Sequence, residues 1–265
     1  MQSDLNILQI DNLSKYFGGL AAVSNCSLKI KKGTITGIIG PNGSGKTTLF
    51  NLIARNLKSS EGTVLFNNEN ITDVPAYELF SKGLLRTFQI AHEFTNLTVL
   101  ENLMMVPGNQ SGENLMNALL KPSLIKKEED QIRKKAYEVI DFLNLKHLAN
   151  ELAGNLSGGQ KKLLELGRTM MVEAKLVLLD EVGAGVNRTL LKDLGTAILR
   201  LNKEKGYTFC MIEHDMDFIS RMCDPVIVMS EGSVLFQGNP NEVKKNEKVI
   251  ESYLGRANTI NGDNN

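Results

Sequence analysis

The residues Gly40-Pro41-Asn42-Gly43-Ser44-Gly45-Lys46-Thr47-Thr48 fit the phosphate-loop pattern G-x-x-x-x-G-K-[ST]. Glycines let successive backbone N–H groups curl around phosphate oxygens, a following helix start adds partial positive charge, and Lys46 supplies a mobile cation for the outer phosphates. The hydroxyl of Thr47 is then placed to hold Mg²⁺. Further along, Leu176-Val177-Leu178-Leu179-Asp180-Glu181 is an apolar run ending in two carboxylates. Asp180 can hold Mg²⁺ through water. Glu181, one residue on, points elsewhere, towards an attacking water that needs a base or an orienting group.

A third group, Leu156-Ser157-Gly158-Gly159-Gln160, precedes Leu163, Leu166 and Met170 at helical spacing. Ser157 and the N–H groups of Gly158 and Gly159 therefore lie at a helix start, which makes a second anion site. One phosphate cannot easily occupy two helix starts of one chain separated by a long insertion. Two chains facing head to tail could each offer one.

The elements that must position these groups can be read from the pattern. Ile7-Leu8-Gln9-Ile10 and Ser27-Leu28-Lys29-Ile30 flank a Gly18-Gly19 turn and predict strands of a small antiparallel sheet. Thr34 to Ile39 runs into the glycine-rich loop, and Leu49, Leu52, Ile53 and Leu57 follow with helical spacing, giving strand, loop and helix in order. Thr63 to Phe66 predicts a strand that returns to the antiparallel part. Between His92 and Asn155 helix periods dominate, as at Leu115 to Leu120 and at Ile132, Ala136, Val139, Ile140 and Leu143, which predicts a helical insertion. There, Glu129 with Arg133 and Asp130 with Lys134 are expected as ion pairs on a solvated helix face. Leu176 to Leu179 and Thr208 to Ile212 suit strands covered on both faces, and Val226 to Met229 and Ser233 to Phe236 straddle a Glu231-Gly232 hairpin turn. A parallel strand delivers its last residues to the C-terminal edge of the sheet, where α/β ligands sit.

Bulk properties narrow the function. Lys plus Arg, 30, equals Asp plus Glu, 30, so no surplus of positive charge is available to neutralise a nucleic-acid backbone. Cys26, Cys210 and Cys223 are scattered and lack the paired spacing of a zinc or redox site. Met1 to Asn12 carries no basic stretch followed by an apolar one, which predicts no export signal. No apolar run approaches the roughly 20 residues needed to cross a bilayer, so a role at a membrane has to come through another chain.

With every motif in this order, the sequence from Ile7 to Gly255 resembles the ATP-binding subunits of ABC transporters, whose signature is the pentapeptide Leu156 to Gln160. The resemblance implies an α/β phosphate-loop NTPase core of mixed, mainly parallel sheet, with an antiparallel β subdomain and an inserted helical subdomain. It gives a single ATPase domain over 1–258, with 1–89 and 166–258 as the nucleotide-binding core, 90–165 as the helical part and 259–265 as a polar tail. It implies ATP and Mg²⁺ as ligands, and a second ATPase subunit, identical or a sister chain, whose signature completes the phosphate loop in trans. Integral-membrane permease subunits are the other implied partner, which would hold the protein on the cytoplasmic face of the membrane.

By the same resemblance Phe17, 29 residues before Lys46, stacks on adenine, with Tyr16 as the alternative. Gln89 joins the Mg²⁺ shell with Thr47 and Asp180, and His214 contacts γ-phosphate and Glu181. The expected reaction is hydrolysis of ATP without a covalent intermediate. In it Lys46 and the loop amides spread the γ-phosphate charge, Glu181 polarises water, His214 steadies the geometry, and Ser157 of the opposite subunit closes the site. Two positions depart from the commonest family pattern: Val182 stands where Pro is usual and Asn187 where Asp is. Leu85 to Gln89, Leu97 to Asn102, the Ala184-Gly185-Val186-Asn187 loop and Val249 to Gly255 look like the ATPases of branched-chain amino-acid or urea and amide importers. An exporter or lipid-extraction ATPase, and an ABC ATP clamp that scaffolds a complex outside transport, are the rival readings.

Overall fold

The structure, a computed structural model, describes residues 5–87, 94–108, 110–172 and 174–260. Along the chain run strands β1 (Asn6–Phe17), β2 (Leu20–Lys31) and β3 (Ile35–Ile39), helix α1 (Lys46–Ile53), strands β4 (Glu61–Phe66) and β5 (Glu69–Asn70), helix α2 (Ala76–Lys82) and strand β6 (Leu84–Arg86). Helices α3 (Val99–Met104), α4 (Leu115–Leu120), α5 (Pro122–Phe142) and α6 (Gly158–Met171) follow. The chain then alternates through β7 (Leu176–Asp180), α7 (Arg188–Lys205), β8 (Thr208–Ile212) and α8 (Met216–Met222). It ends with β9 (Val226–Ser230), β10 (Ser233–Gly238), α9 (Pro240–Lys245) and α10 (Glu247–Ile260).

Two compact units result. The first, built from Met1–Arg86, Lys175–Gly183 and Leu199–Asn265, holds both sheets. A six-stranded sheet runs β10-β9-β3-β8-β7-β6, parallel throughout except for the β9/β10 hairpin, and a four-stranded antiparallel sheet runs β2-β1-β4-β5. Strands β3, β7 and β8 are buried at every residue, as apolar strands covered on both faces must be. Leu49, Phe50, Leu52 and Ile53 of α1 are fully buried in one core with residues of both sheets, including Ile10, Ile30, Leu178 and Ile212. That packing fixes the axis of α1, and with it the loop at the start of the helix.

The paired strands β1 and β2 are 12 residues each, much longer than the short apolar segments predict. Asn12 and Asn25 take positive φ (48° and 45°), and the register shifts between Ile10 and Leu13. Such a bulge interrupts the alternation while the ladder continues, so the pattern stops before the strand does. Helix α2 and the three-residue β6 lie in a stretch with no clear period in its apolar residues.

The second unit comprises Thr87–Ala174 and Ala184–Ile198, and its described residues before Ala184 form no named strand. Helices α3, α5 and α6 pack closely at Gly167, where an added Cβ would come within 2.8 Å of Leu143 Cδ1, 3.1 Å of Val139 Cγ1 and 3.2 Å of Leu103 Cδ2. Thr98 and Glu101 form a capping box on α3. Asn102, fully buried, donates to the carbonyls of Phe94, Leu97 and Thr98 and accepts from the Phe94 N–H, which ties down the turn before the helix. The expected pairs on α5 do not form: among the described residues no ion pair joins Glu129 to Arg133 or Asp130 to Lys134. Solvated side chains gain little by pairing. Their neighbour Glu128 instead accepts from the N–H and hydroxyl of Ser111 at 2.9 and 2.7 Å. No helix among the described residues is long and apolar enough to cross a membrane.

Candidate functional site

Strand β3 ends at Ile39 and turns directly into the glycine-rich loop. Gly40 has φ +152°, and a Cβ there would lie 2.2 Å from the Met229 carbonyl oxygen. Gly45, at φ +97°, would meet the Ala22 carbonyl oxygen at 2.5 Å. Only glycine can occupy either place. The Gly232 N–H, in the two-residue β9/β10 turn, donates to the Ser44 carbonyl at 3.1 Å, and Gly232 in turn accepts from the Ser24 N–H. Both sheets thereby pin the outer side of the loop. Lys46 is buried, and its Nζ donates to the carbonyls of Gly40 and Pro41 at 2.8 and 3.0 Å and to Ser44 Oγ at 3.4 Å. The ammonium is therefore held inside the curl of the loop. Helix α1 begins after Gly45 with no side-chain cap, so none of its first N–H groups is taken by a capping side chain. Thr47, Asn42 and Gly43 are exposed at this end, Ser44 and Pro41 buried, and Thr48 half-buried.

Parallel strands β7 and β8, paired with Asp180 opposite Ile212, end at the same edge of the sheet. Asp180 is 3% exposed and closes β7. Glu181 follows with φ +49°, an unusual conformation for a residue with a Cβ, and its N–H donates to the Ile212 carbonyl. This turns the Glu181 side chain out of the strand, where Oε1 lies 2.8 Å from Nε2 of the exposed His214. Glu213, one residue before the histidine, is 6% exposed and accepts from the Gly183 N–H at 2.8 Å. Burial holds the Glu213 carboxyl above the usual carboxylate range, against the lowering effect of that N–H. Consecutive residues of one strand end thus grip the loop after β7 at two points. Val182, in the place where Pro is usual, is buried in that loop.

In the second unit, Ser157 is the N-cap of α6. Its Oγ accepts from the Gln160 N–H at 3.4 Å while Gln160 Oε1 accepts from the Ser157 N–H at 2.9 Å, a capping box. Ser157 and Gly158 are exposed, Leu156 and Gly159 are buried, and Gln160 is half-buried. The two glycines differ in what they face: a Cβ on Gly158 would find its nearest neighbour, the Gly185 carbonyl oxygen, 3.8 Å away, whereas one on Gly159 would lie 2.5 Å from Leu190 Cδ1. Asn187 Oδ1 accepts from the Leu190 N–H at 2.9 Å at the start of α7, a capping role that Asn and Asp both fill.

Phe17, 49% exposed, presents its ring at the end of β1 beside the Gly18-Gly19 turn, with Lys15 Nζ 5.4 Å from the ring centroid. Tyr16 is also exposed. Gln89 lies outside the described residues.

The sequence matches the ABC transporter family over residues 23–184, more than half of the chain. The chain belongs to the ATP-binding cassettes of ABC transporters. A relative named as a probable branched-chain amino acid transport ATP-binding protein, LivG of Archaeoglobus fulgidus, is 42% identical over 95% of this chain and 96% of its own length. A crystal structure of another ABC-transporter cassette in its ADP conformation superposes with a TM-score of 0.80 at 40% identity, covering 95% of this chain and 99% of that one. A dimeric cassette in a post-hydrolysis state with ADP and phosphate gives 0.71 at 26%, covering 88% and 98%. The cassette is accordingly an ATP-binding, ATP-hydrolysing subunit whose work is coupled to transport.

Sequence reasoning did not single out two charged residues of this cassette. Glu213 carries no motif of its own, and the family likeness points to its neighbour His214. Arg86, which ends β6, donates to Asp180 Oδ2 at 2.6 Å and to Asn51 Oδ1 on α1 at 2.6 Å. Arg86 stood in the Leu85 to Gln89 string noted for its family likeness, and nothing in that string predicts a partner 94 residues away.

Proposed function

We propose that the cassette drives an importer of branched-chain amino acids or similar small solutes. The likeness to LivG over nearly the full length of both chains supports that solute class. The observation that carries the catalytic reading is the shared edge of the adjacent parallel strands β3, β8 and β7: Asp180 ends β7, Glu181 and His214 follow β7 and β8, and Lys46 opens α1 after the loop that leaves β3. In this reading Lys46 and the loop amides from Gly40 to Thr48 cradle the phosphates, Phe17 stacks on adenine, and Glu181 orients or deprotonates water while His214 steadies it.

For the metal, the donors suit Mg²⁺. Thr47 offers a hydroxyl and Asp180 a carboxylate, and among the described residues no group of three or more His, Cys, Asp or Glu forms a cage. A sparse oxygen set completed by phosphate and water is what Mg²⁺ takes. Thr47 and Asp180, with Gln89, would hold it, and when bound it neutralises charge on the β- and γ-phosphates. The partners in this reading are a second cassette, identical or a sister chain, and membrane permease subunits that hold the assembly at the cytoplasmic face. The exposed Ser157 and Gly158 at the start of α6 support the in-trans role of Leu156 to Gln160, as does the likeness to a dimeric cassette.

The test is uptake. Co-expressed with the permease subunits that co-purify from detergent-solubilised membranes and placed in vesicles with ATP on the cassette side, the complex should accumulate labelled leucine. Accumulation of a different solute class, or ATP-driven export, would replace the substrate assignment.

A further inference from the structure

One buried charge has no part in the chemistry above. Arg86 is 10% exposed, and its guanidinium spans three elements of the first unit: it ends β6, reaches Asp180 of β7 and holds Asn51 of α1. In the β6/β7 register Arg86 stands opposite Leu178, so its side chain leans two residues along the neighbouring strand to reach the carboxylate. It is bound there through one oxygen, Oδ2, and not in the two-pronged geometry that makes an arginine-carboxylate pair strong. The third guanidinium nitrogen, Nε, is buried and has no partner among the described residues. A guanidinium settled for structure alone would be expected to satisfy that N–H or to grip both oxygens. This one holds a single oxygen of Asp180 and is anchored elsewhere by Asn51.

We infer that Arg86 is the resident counter-cation of Asp180 and competes with Mg²⁺ for its carboxylate, which makes Arg86 a positioning residue that sets the metal affinity of the site. The inference rests on the reading of Asp180 as a metal-holding residue. A carboxylate this deeply buried needs a positive partner at all times. Without metal, Arg86 is that partner. A divalent ion held by Asp180 would repel the neighbouring guanidinium, so Arg86 would give up Asp180 while keeping its bond to Asn51.

The experiment is a Mn²⁺ titration followed by electron paramagnetic resonance, with the full chain and a non-hydrolysable ATP analogue. Arg86→Gln leaves Asp180 without its competitor and is expected to bind Mn²⁺ about tenfold more tightly, the scale on which a neighbouring charge biases a carboxylate. Asn51→Ala removes the anchor, leaves the guanidinium on Asp180, and is expected to weaken Mn²⁺ binding. A pair that served structure alone would lower the melting temperature in both variants without moving metal affinity in opposite directions. Unchanged or weaker Mn²⁺ binding by Arg86→Gln, or unchanged or tighter binding by Asn51→Ala, overturns the inference; should Arg86→Gln fail to fold, Asn51→Ala alone decides it. Asp180→Asn separates the two levels. If it weakens Mn²⁺ binding, the metal reading of Asp180 stands whatever Arg86 does, and if it binds Mn²⁺ as the unaltered protein does, that reading fails and takes the inference with it.

Discussion

His214 Nε2 lies 2.8 Å from Glu181 Oε1, across the ends of two paired parallel strands. The contact depends on the left-handed backbone at Glu181, which turns its carboxylate out of the β7 line and towards the end of β8. With Glu181 proposed as the base and His214 as its orienter, this contact spares the site from assembling the pair during turnover. Replacing the base should therefore separate binding from turnover. Glu181→Gln is expected to bind ATP with near-normal affinity while phosphate release falls about 100-fold or more, and size-exclusion chromatography with ATP should show dimers accumulating. His214→Ala, which keeps the carboxylate and removes only its contact with the imidazole, should lose less. Turnover in Glu181→Gln equal to that of the unaltered chain would remove Glu181 from the chemistry.

The ring of Phe17 is half exposed at a strand end, so its removal should leave the fold intact. Stacking on a flat base is worth about 1 kcal/mol, or about fivefold in affinity. Phe17→Ala is thus expected to raise the ATP concentration for half-maximal hydrolysis about fivefold with little change in maximal rate. Fluorescence titration with a labelled nucleotide checks the same number without turnover. If Tyr16→Ala gives this effect and Phe17→Ala does not, the stacking residue is the neighbour.

How far the sequence foretold the fold and site follows from which forces are local. The phosphate loop is legible because its geometry is written in glycines that no other residue replaces, as the 2.2 Å approach at Gly40 makes plain. Strands β7 and β8 are legible because double-sided burial leaves unbroken apolar runs. The asparagine bulges of β1 and β2 hide half of each strand, because they break alternation without ending the ladder. Arg86 was invisible as a site residue for a different reason. Its significance comes from Asn51 and Asp180, brought beside it only when β6 joins β7 and α1 packs below. The sequence pattern treats Gly158 and Gly159 alike, as N–H groups at a helix start, while in the fold the lack of a side chain at Gly159 is used against Leu190.

Glu213 gives a prediction in pH. Burial favours its neutral form in the folded chain, whereas the unfolded chain ionises at the ordinary carboxyl value. Between that value and the raised one, the native state holds a proton that the unfolded state has released, so native stability falls as pH climbs through this window. Glu213→Gln keeps an acceptor oxygen for the Gly183 N–H and cannot ionise. Its urea midpoint should therefore rise relative to that of the unaltered chain as pH is taken from about 4 to about 8. Parallel curves for the two proteins across that range would show that Glu213 carries no such coupling.

The signature glycines can be told apart by substitution because they face different things. At Gly159 a methyl group would sit 2.5 and 2.6 Å from Leu190 Cδ1 and Cβ, and the second of these cannot swing away as a side-chain tip can. Gly159→Ala should force the start of α6 off α7 and lower stability by about 1–3 kcal/mol, read as a drop in melting temperature with or without nucleotide. At Gly158 the nearest atom is 3.8 Å away, so Gly158→Ala should melt with the unaltered chain. Its methyl group would stand at the open helix start beside Ser157, where a phosphate of the facing subunit is proposed to dock. There a displacement of about 1 Å is enough to slow hydrolysis about 100-fold. Loss of turnover without loss of stability in Gly158→Ala, set against loss of stability in Gly159→Ala, would separate the docking surface from the packing beneath it. Full hydrolysis by Gly158→Ala would instead mean that the phosphate does not approach this end of α6.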